Sequence, residues 1–121
     1  DICNTMLDED LPLTVTEIPE WGDLKNNKEA FQYIKSYSPY DNVKKQEYPN
    51  MLITGGVTDP RVTYWEMTKW TAKIREFKTD NNLLLLKMNM DAGHSGASGR
   101  YDYLKEIALD YIFCLKIINF K

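Results

Sequence analysis

His94 is the chain's one histidine, and it stands in a loop of small residues, Ala92-Gly93-His94-Ser95-Gly96. An imidazole is the side chain best suited to accept and return a proton near neutral pH, since its ordinary pKa lies at about 6.5. To do so in one direction it needs a carboxylate behind it, which fixes the tautomer and steadies the imidazolium. Asp59, in Gly56-Val57-Thr58-Asp59-Pro60-Arg61-Val62, is a carboxylate able to take that part. Taken alone, each residue has an ordinary alternative. A single loop histidine is more often incidental than catalytic, an aspartate before proline is a common turn residue, and Arg61 could simply begin a helix.

The elements around them give the pair a shared address. Tyr48-Pro49 and Gly55-Gly56 bracket a short apolar run, Met51 to Ile53, that reads as a buried strand. Arg61 to Phe77 reads as a helix with an apolar stripe at Met67, Trp70, Ile74 and Phe77. After a turn at Asp80-Asn81-Asn82, Leu83 to Met88 is a second buried strand. The loop from Gly93 to Gly99 then leads into a final helix, Tyr101 to about Asn119. Its buried face is expected to comprise Leu104, Ile107, Ala108, Tyr111, Ile112, Leu115 and Ile118, with Asp102, Lys105, Glu106 and Asp110 outside. Strand, helix, strand in this order implies a parallel pair joined by a crossover. Asp59 and His94 then both follow the carboxyl ends of neighbouring strands, the edge where α/β sheets carry their chemistry.

Further upstream, Asn26 or Asn27 caps a helix running to about Tyr37, and Pro39 ends it. Met6 to Gly22 reads as an acidic loop, with Asp8-Glu9-Asp10 followed by Pro12, Pro19 and Gly22. Asp1 and Ile2 read as the stub of a preceding strand. Trp65, Trp70, Tyr111 and Phe113 are expected in or at the edge of the core.

Composition removes several classes of function. The length of 121 residues allows one domain with one core, and 43% hydrophobic with 27% charged residues is globular. A net charge of -3 without a basic stripe argues against nucleic acid as a partner. No apolar run reaches the roughly 20 residues of a membrane helix, and the acidic, polar N-terminus is no secretory signal. Cys3 and Cys114 form no CxxC, and with one histidine they make no standard zinc site, so neither metal nor cofactor is expected. They read as two reduced thiols of a cytoplasmic protein. The glycines Gly93, Gly96 and Gly99 are a weak phosphate-loop signal, since no helix-entry Lys-Ser/Thr follows.

Two long stretches, YPNMLITGGVTDPRVTYWEMTKW from Tyr48 to Trp70 and MDAGHSGASGRYDYLKEIALDYIFCL within Asn82 to Leu115, carry a resemblance. With KSYSPYDNV from Lys35 to Val43, they resemble the C-terminal end of the prolyl oligopeptidase family of serine peptidases, in its oligopeptidase B branch. The resemblance runs over essentially the whole chain. It implies an α/β fold, the C-terminal portion of an α/β-hydrolase: a short parallel sheet of two core strands flanked by three helices. Residues 1–121 would be the C-terminal part of the catalytic domain. Asp59 matches the triad carboxylate of the family's G-x-x-D-x-R-V turn, His94 the triad base of its A-G-H-x-G loop, and Arg61 the residue that holds a substrate carbonyl. A stretch like Glu17-Ile18-Pro19-Glu20 carries the family's preference for cleavage after Arg or Lys. Glu17 falls on its first glutamate, while the second falls on the uncharged Pro19, with Glu20 beside it.

The resemblance also marks what this chain lacks. α/β-Hydrolases place Ser, Asp and His in that order, the serine on a G-x-S-x-G elbow. Asp59 and His94 keep the order, but no G-x-S-x-G occurs here, and Gly96-Ala97-Ser98-Gly99 has the wrong spacing. The elbow and the β-propeller of the family would lie upstream, so the chain is expected to be inactive alone and to act on short peptides only with an upstream half of the catalytic domain. The open sheet edge would also favour self-association, as a homodimer or a swapped assembly. The chain could instead be a non-catalytic remnant or interaction module of a split or decaying gene, or a piece excised from a longer reading frame.

Overall fold

The computed structural model describes residues 1–99 and 101–119. Two parallel strands, β1 (Met51–Gly56) and β2 (Leu84–Asn89), pair in register from Met51 opposite Leu84 to Gly56 opposite Asn89. The connection between them is a helix of 14 residues, Tyr64–Phe77. Counted along the chain it is α4, after α1 (Ile2–Leu7), α2 (Thr14–Trp21) and α3 (Lys28–Tyr37). The last helix, α5, spans Asp102–Ile117.

The crossover order, both strands, the capped helix ending before Pro39 and the final helix thus match the expectation. The side chain of Asn27 accepts from the amides of Glu29 and Ala30, closing two of the free donors at the start of α3. Inside α4, Ile74 and Thr71 are fully buried, whereas Phe77 at the end of the expected stripe is exposed. Gly55 presses on Met67: a Cβ there would lie 1.7 Å from the methionine sulfur, so any side chain at this point of β1 would have to displace Met67.

The acidic loop expected before Gly22 is instead two helices, and the expected strand stub at Asp1 and Ile2 belongs to the first of them. In α1, Cys3 and Met6 have helical spacing and are both buried. They join Leu24 and Ile34 in a small core, with Ile2, Ile18 and Phe31 packed against it. Helix α2 keeps Pro19 inside it. Its first turn is pinned by the buried Thr14, whose hydroxyl donates to the carbonyl of Thr5 at 2.8 Å. Tertiary anchoring here outweighs the donor that proline removes. Gly22 ends α2 at φ +96°, a conformation side chains with a Cβ seldom adopt.

Two further expectations fail. The strands were expected to be buried, and α5 to bury an apolar stripe. In β2, Leu85 and Lys87 are exposed while Leu84, Leu86 and Met88 are half-buried, so one face is packed on α4 and the other is open. Helix α5 contains no buried residue, and Leu104, Ile107, Tyr111, Ile112, Leu115 and Ile118 are 40–67% exposed. The half-buried residues of α5, Glu106, Leu109, Phe113 and Ile117, lie on the opposite side of the helix from the expected stripe. Trp65 is likewise exposed, stacked edge-on against Tyr64 at 5.2 Å between ring centres. Cys3 and Cys114 are both free thiols, and burial, followed by the charge of Asp41, pushes the Cys3 thiol up.

Candidate active site

The site is built from the two loops that leave the carboxyl ends of β1 and β2. They touch because Gly56 has no side chain. A Cβ there would lie 2.2 Å from the carbonyl oxygen of Ala92. Two backbone bonds stitch the loops together: Val57 N–H to the Asn89 carbonyl at 3.0 Å, and Thr58 N–H to the Ala92 carbonyl at 3.3 Å.

On the first loop, Asp59 folds back over the residues that follow it. Its Oδ1 accepts from the amides of Arg61 at 2.8 Å and Val62 at 3.0 Å. The extended backbone of Thr63 (ψ 142°), which follows this aspartate turn, is what makes α4 begin at Tyr64 and not at Arg61. The remaining oxygen, Oδ2, lies 3.0 Å from Nδ1 of His94 on the second loop. A carboxylate can only accept, so Nδ1 carries the hydrogen, and in the neutral ring Nε2 is then the acceptor. The Asp59 side chain is 7% exposed and that of His94 46%. Burial pushes the Asp59 carboxyl up, but the amides of Val62 and Arg61 and the His94 ring outweigh it and hold the group below the usual carboxylate range. A buried, ionised carboxylate thus grips one side of an imidazole whose other nitrogen faces out. Such a pair can take a proton from a hydroxyl and pass it to a leaving amine.

The other expected residues separate into two groups. Arg61 and the half-buried Glu17 line one small cleft with Trp21, Val62 and Glu66. Glu20 lies outside that cleft and is exposed. Ser95 and Ser98 flank the histidine in its own loop, but neither hydrogen-bonds to His94. Among the described residues, no group of three or more His, Cys, Asp or Glu side chains could hold a metal ion.

One residue was placed on the wrong side by its sequence pattern. Glu106 was expected on the outer face of the last helix, yet it turns inward. Its Oε1 accepts from the Asn89 side-chain amide at 2.6 Å, and its Oε2 from the backbone amide of Ala97 at 3.2 Å. The available signal was a second apolar row, Leu109, Phe113 and Ile117, which shares a helix face with Glu106 and is half-buried like it. Glu66 was also unforeseen; it accepts from the hydroxyl of Thr5 and ties α4 to α1.

The prolyl oligopeptidase family profile matches residues 1–121. The chain belongs to the prolyl oligopeptidase family. Within that family, Protease 2 of Moraxella lacunata is 55% identical over 115 residues, 95% of this chain and 16% of the relative. Oligopeptidase B of Leishmania major superposes with a TM-score of 0.93 at 47% identity, over 98% of this chain and 16% of that one. The Trypanosoma brucei oligopeptidase B, solved in a closed form with covalently bound antipain, gives 0.93 at 50% identity, over 98% and 17%. The two strands and their helices are therefore part of an α/β-hydrolase fold, and the chain spans about a sixth of the length of the family members it matches.

Proposed function

We propose that this chain supplies two members of the catalytic triad of a serine oligopeptidase, Asp59 as the carboxylate and His94 as the general base. The observation that carries the reading is the 3.0 Å contact between Asp59 Oδ2 and His94 Nδ1 at the carboxyl end of a parallel strand pair. In this reading residues 1–121 form the C-terminal part of the catalytic domain. The nucleophile serine and most of the oxyanion hole come from the upstream part, which also covers the open strand face and the apolar side of α5. His94 Nε2 takes the proton from the serine hydroxyl as it attacks the scissile carbonyl. The same proton passes to the leaving amine, and water then repeats the cycle on the acyl-enzyme. Arg61 holds a carbonyl of the bound peptide. Glu17, sharing its cleft, attracts a basic side chain, so short peptides are cut after Arg or Lys. Alone, in the cytoplasm or in solution, the chain is inactive.

The reading is tested with a chimera in which this chain replaces the matching stretch of Moraxella lacunata Protease 2. The chimera should cleave an Arg-containing chromogenic peptide and be labelled by a fluorophosphonate, while the isolated chain should do neither. A folded chimera without cleavage would refute the peptidase reading and favour a non-catalytic interaction module. Stoichiometric labelling of Ser95 or Ser98 in the isolated chain would refute its dependence on an upstream serine. The same exposed faces could instead be covered by a second copy; sedimentation of the isolated chain at micromolar concentration distinguishes a dimer from a monomer.

A further inference from the structure

The loop that carries His94 is rich in glycine. Between Ala92 and Asp102 it contains Gly93, Gly96 and Gly99, residues that lose the most conformational freedom on ordering. Its upstream end is tied to the first loop through Thr58 and Ala92. Within it, Gly96 turns at φ +74° and donates to the Gly93 carbonyl at 3.2 Å. Just past His94, the backbone amide of Ala97 has one acceptor, the Glu106 carboxylate of α5.

We propose that Glu106 is a positioning residue for the peptidase reaction: its carboxylate locks the histidine loop to the end of β2 and so sets His94 against Asp59. This rests on the triad reading above. The arrangement calls for a carboxylate in particular. Asn89 uses its Oδ1 to accept from the Asp91 amide at 3.0 Å, so its NH2 group must point at Glu106. Glu106 therefore meets two donors, the Asn89 side chain and the Ala97 amide, with one oxygen each. Only an ionised carboxyl offers two acceptors there, and charge-assisted bonds are the stronger kind. The loop is shaped to meet it: a Cβ on Gly96 would lie 2.6 Å from Glu106 Oε2. Glu106 makes no hydrogen bond to His94; it acts by fixing the backbone three residues beyond the base.

The same chimera tests the role. Glu106→Gln leaves one donor facing a donor. Since misplacing a reacting group by about 1 Å can cost about 100-fold, kcat should fall about 10- to 100-fold, with KM within about twofold. Adding Asn89→Asp reverses donor and acceptor across the pair. The carboxylate introduced on β2 then accepts from the Asp91 amide and from the NH2 group introduced on α5, whose own oxygen accepts from the Ala97 amide. The double variant should therefore recover most of the lost kcat, a rescue that generic loss of folding would not give. The proposal is overturned if Glu106→Gln leaves kcat within about twofold of the parent, or if the double variant is no faster than the single one. Should Glu106→Gln alone fail to fold, the double variant decides by its kcat. Should neither fold, Glu106 is a scaffold residue and the proposal falls. An inactive parent chimera refutes the peptidase reading itself, whereas an active parent indifferent to Glu106 refutes only this role.

Discussion

Two aspartates at opposite ends of the same strand pair each accept from two backbone amides, and they differ in the side chain that closes the cradle. At the amino end, Asp80 accepts from the amides of Tyr48 at 2.6 Å and Asn82 at 2.8 Å. Lys78 completes it at 2.6 Å. At the carboxyl end, Asp59 accepts from the amides of Arg61 and Val62, and His94 completes it. Both carboxylate side chains are 7% exposed. The Lys78 ammonium spends its three donors on the Asp80 carboxylate and on the carbonyls of Asp80 and Asn82, so nothing is left over for a substrate. The imidazole of His94 can change charge and keeps Nε2 outward. The first arrangement sets the register of the strands; the second is able to move a proton. The backbone around a buried aspartate makes a rigid anchor, and the identity of the closing side chain decides whether it becomes a clamp or a machine part.

Breaking the comparison at the histidine should have the largest effect. In the active chimera, His94→Ala should lower kcat by at least about 10⁴-fold, measured on the chromogenic peptide, with the size-exclusion profile unchanged. Replacing Gly56 by Ala should come next among changes outside the pair. The new methyl would push the Ala92 carbonyl away and part the two loops. A cost of about 1–3 kcal/mol in unfolding free energy is expected from such overpacking, with kcat falling about 100-fold if the loops separate by about 1 Å.

The smallest effect on turnover, and the clearest on stability, belongs to Asp80. The Lys78 ammonium, with the Tyr48 and Asn82 amides, holds its carboxyl at about 2, below its ordinary value of 3.8. A folded-state pKa below the unfolded one gives stability that is fully present above about pH 4 and is lost as the pH falls through about 2. Asp80→Asn should therefore lower the urea midpoint near neutral pH and flatten the loss of stability below pH 4. An unchanged midpoint at both pH values would show that the clamp contributes nothing.

How legible these regions were follows from the range of the interactions that make them. The strands, the crossover helix and both site loops announce themselves locally: Pro49, Gly55-Gly56, the Asp80-Asn81-Asn82 turn and the apolar runs between them. That Asp59 and His94 meet was legible for the same reason, each a few residues past a strand end. What failed depends on contacts distant in sequence. Thr14 holds α2 helical across Pro19 through the carbonyl of Thr5. Glu106 turns inward because Asn89 and Ala97 each offer a donor. The apolar stripe of α5 is helical as its period requires, but burial needs a partner surface, which periodicity does not supply.

The most direct test of the account sets the two aspartates side by side in the active chimera, as Asp59→Asn and Asp80→Asn. Asparagine keeps one oxygen for the two amides that share Asp59 Oδ1 but offers the histidine the wrong tautomer. At Asp80, at the other end of the strands, the two amides use different oxygens, so asparagine turns its NH2 group toward a donor. The account predicts a loss of about 10⁴ in kcat for Asp59→Asn, against a kcat close to the parent for Asp80→Asn. Equal losses in the two variants, or full activity in Asp59→Asn, would contradict it.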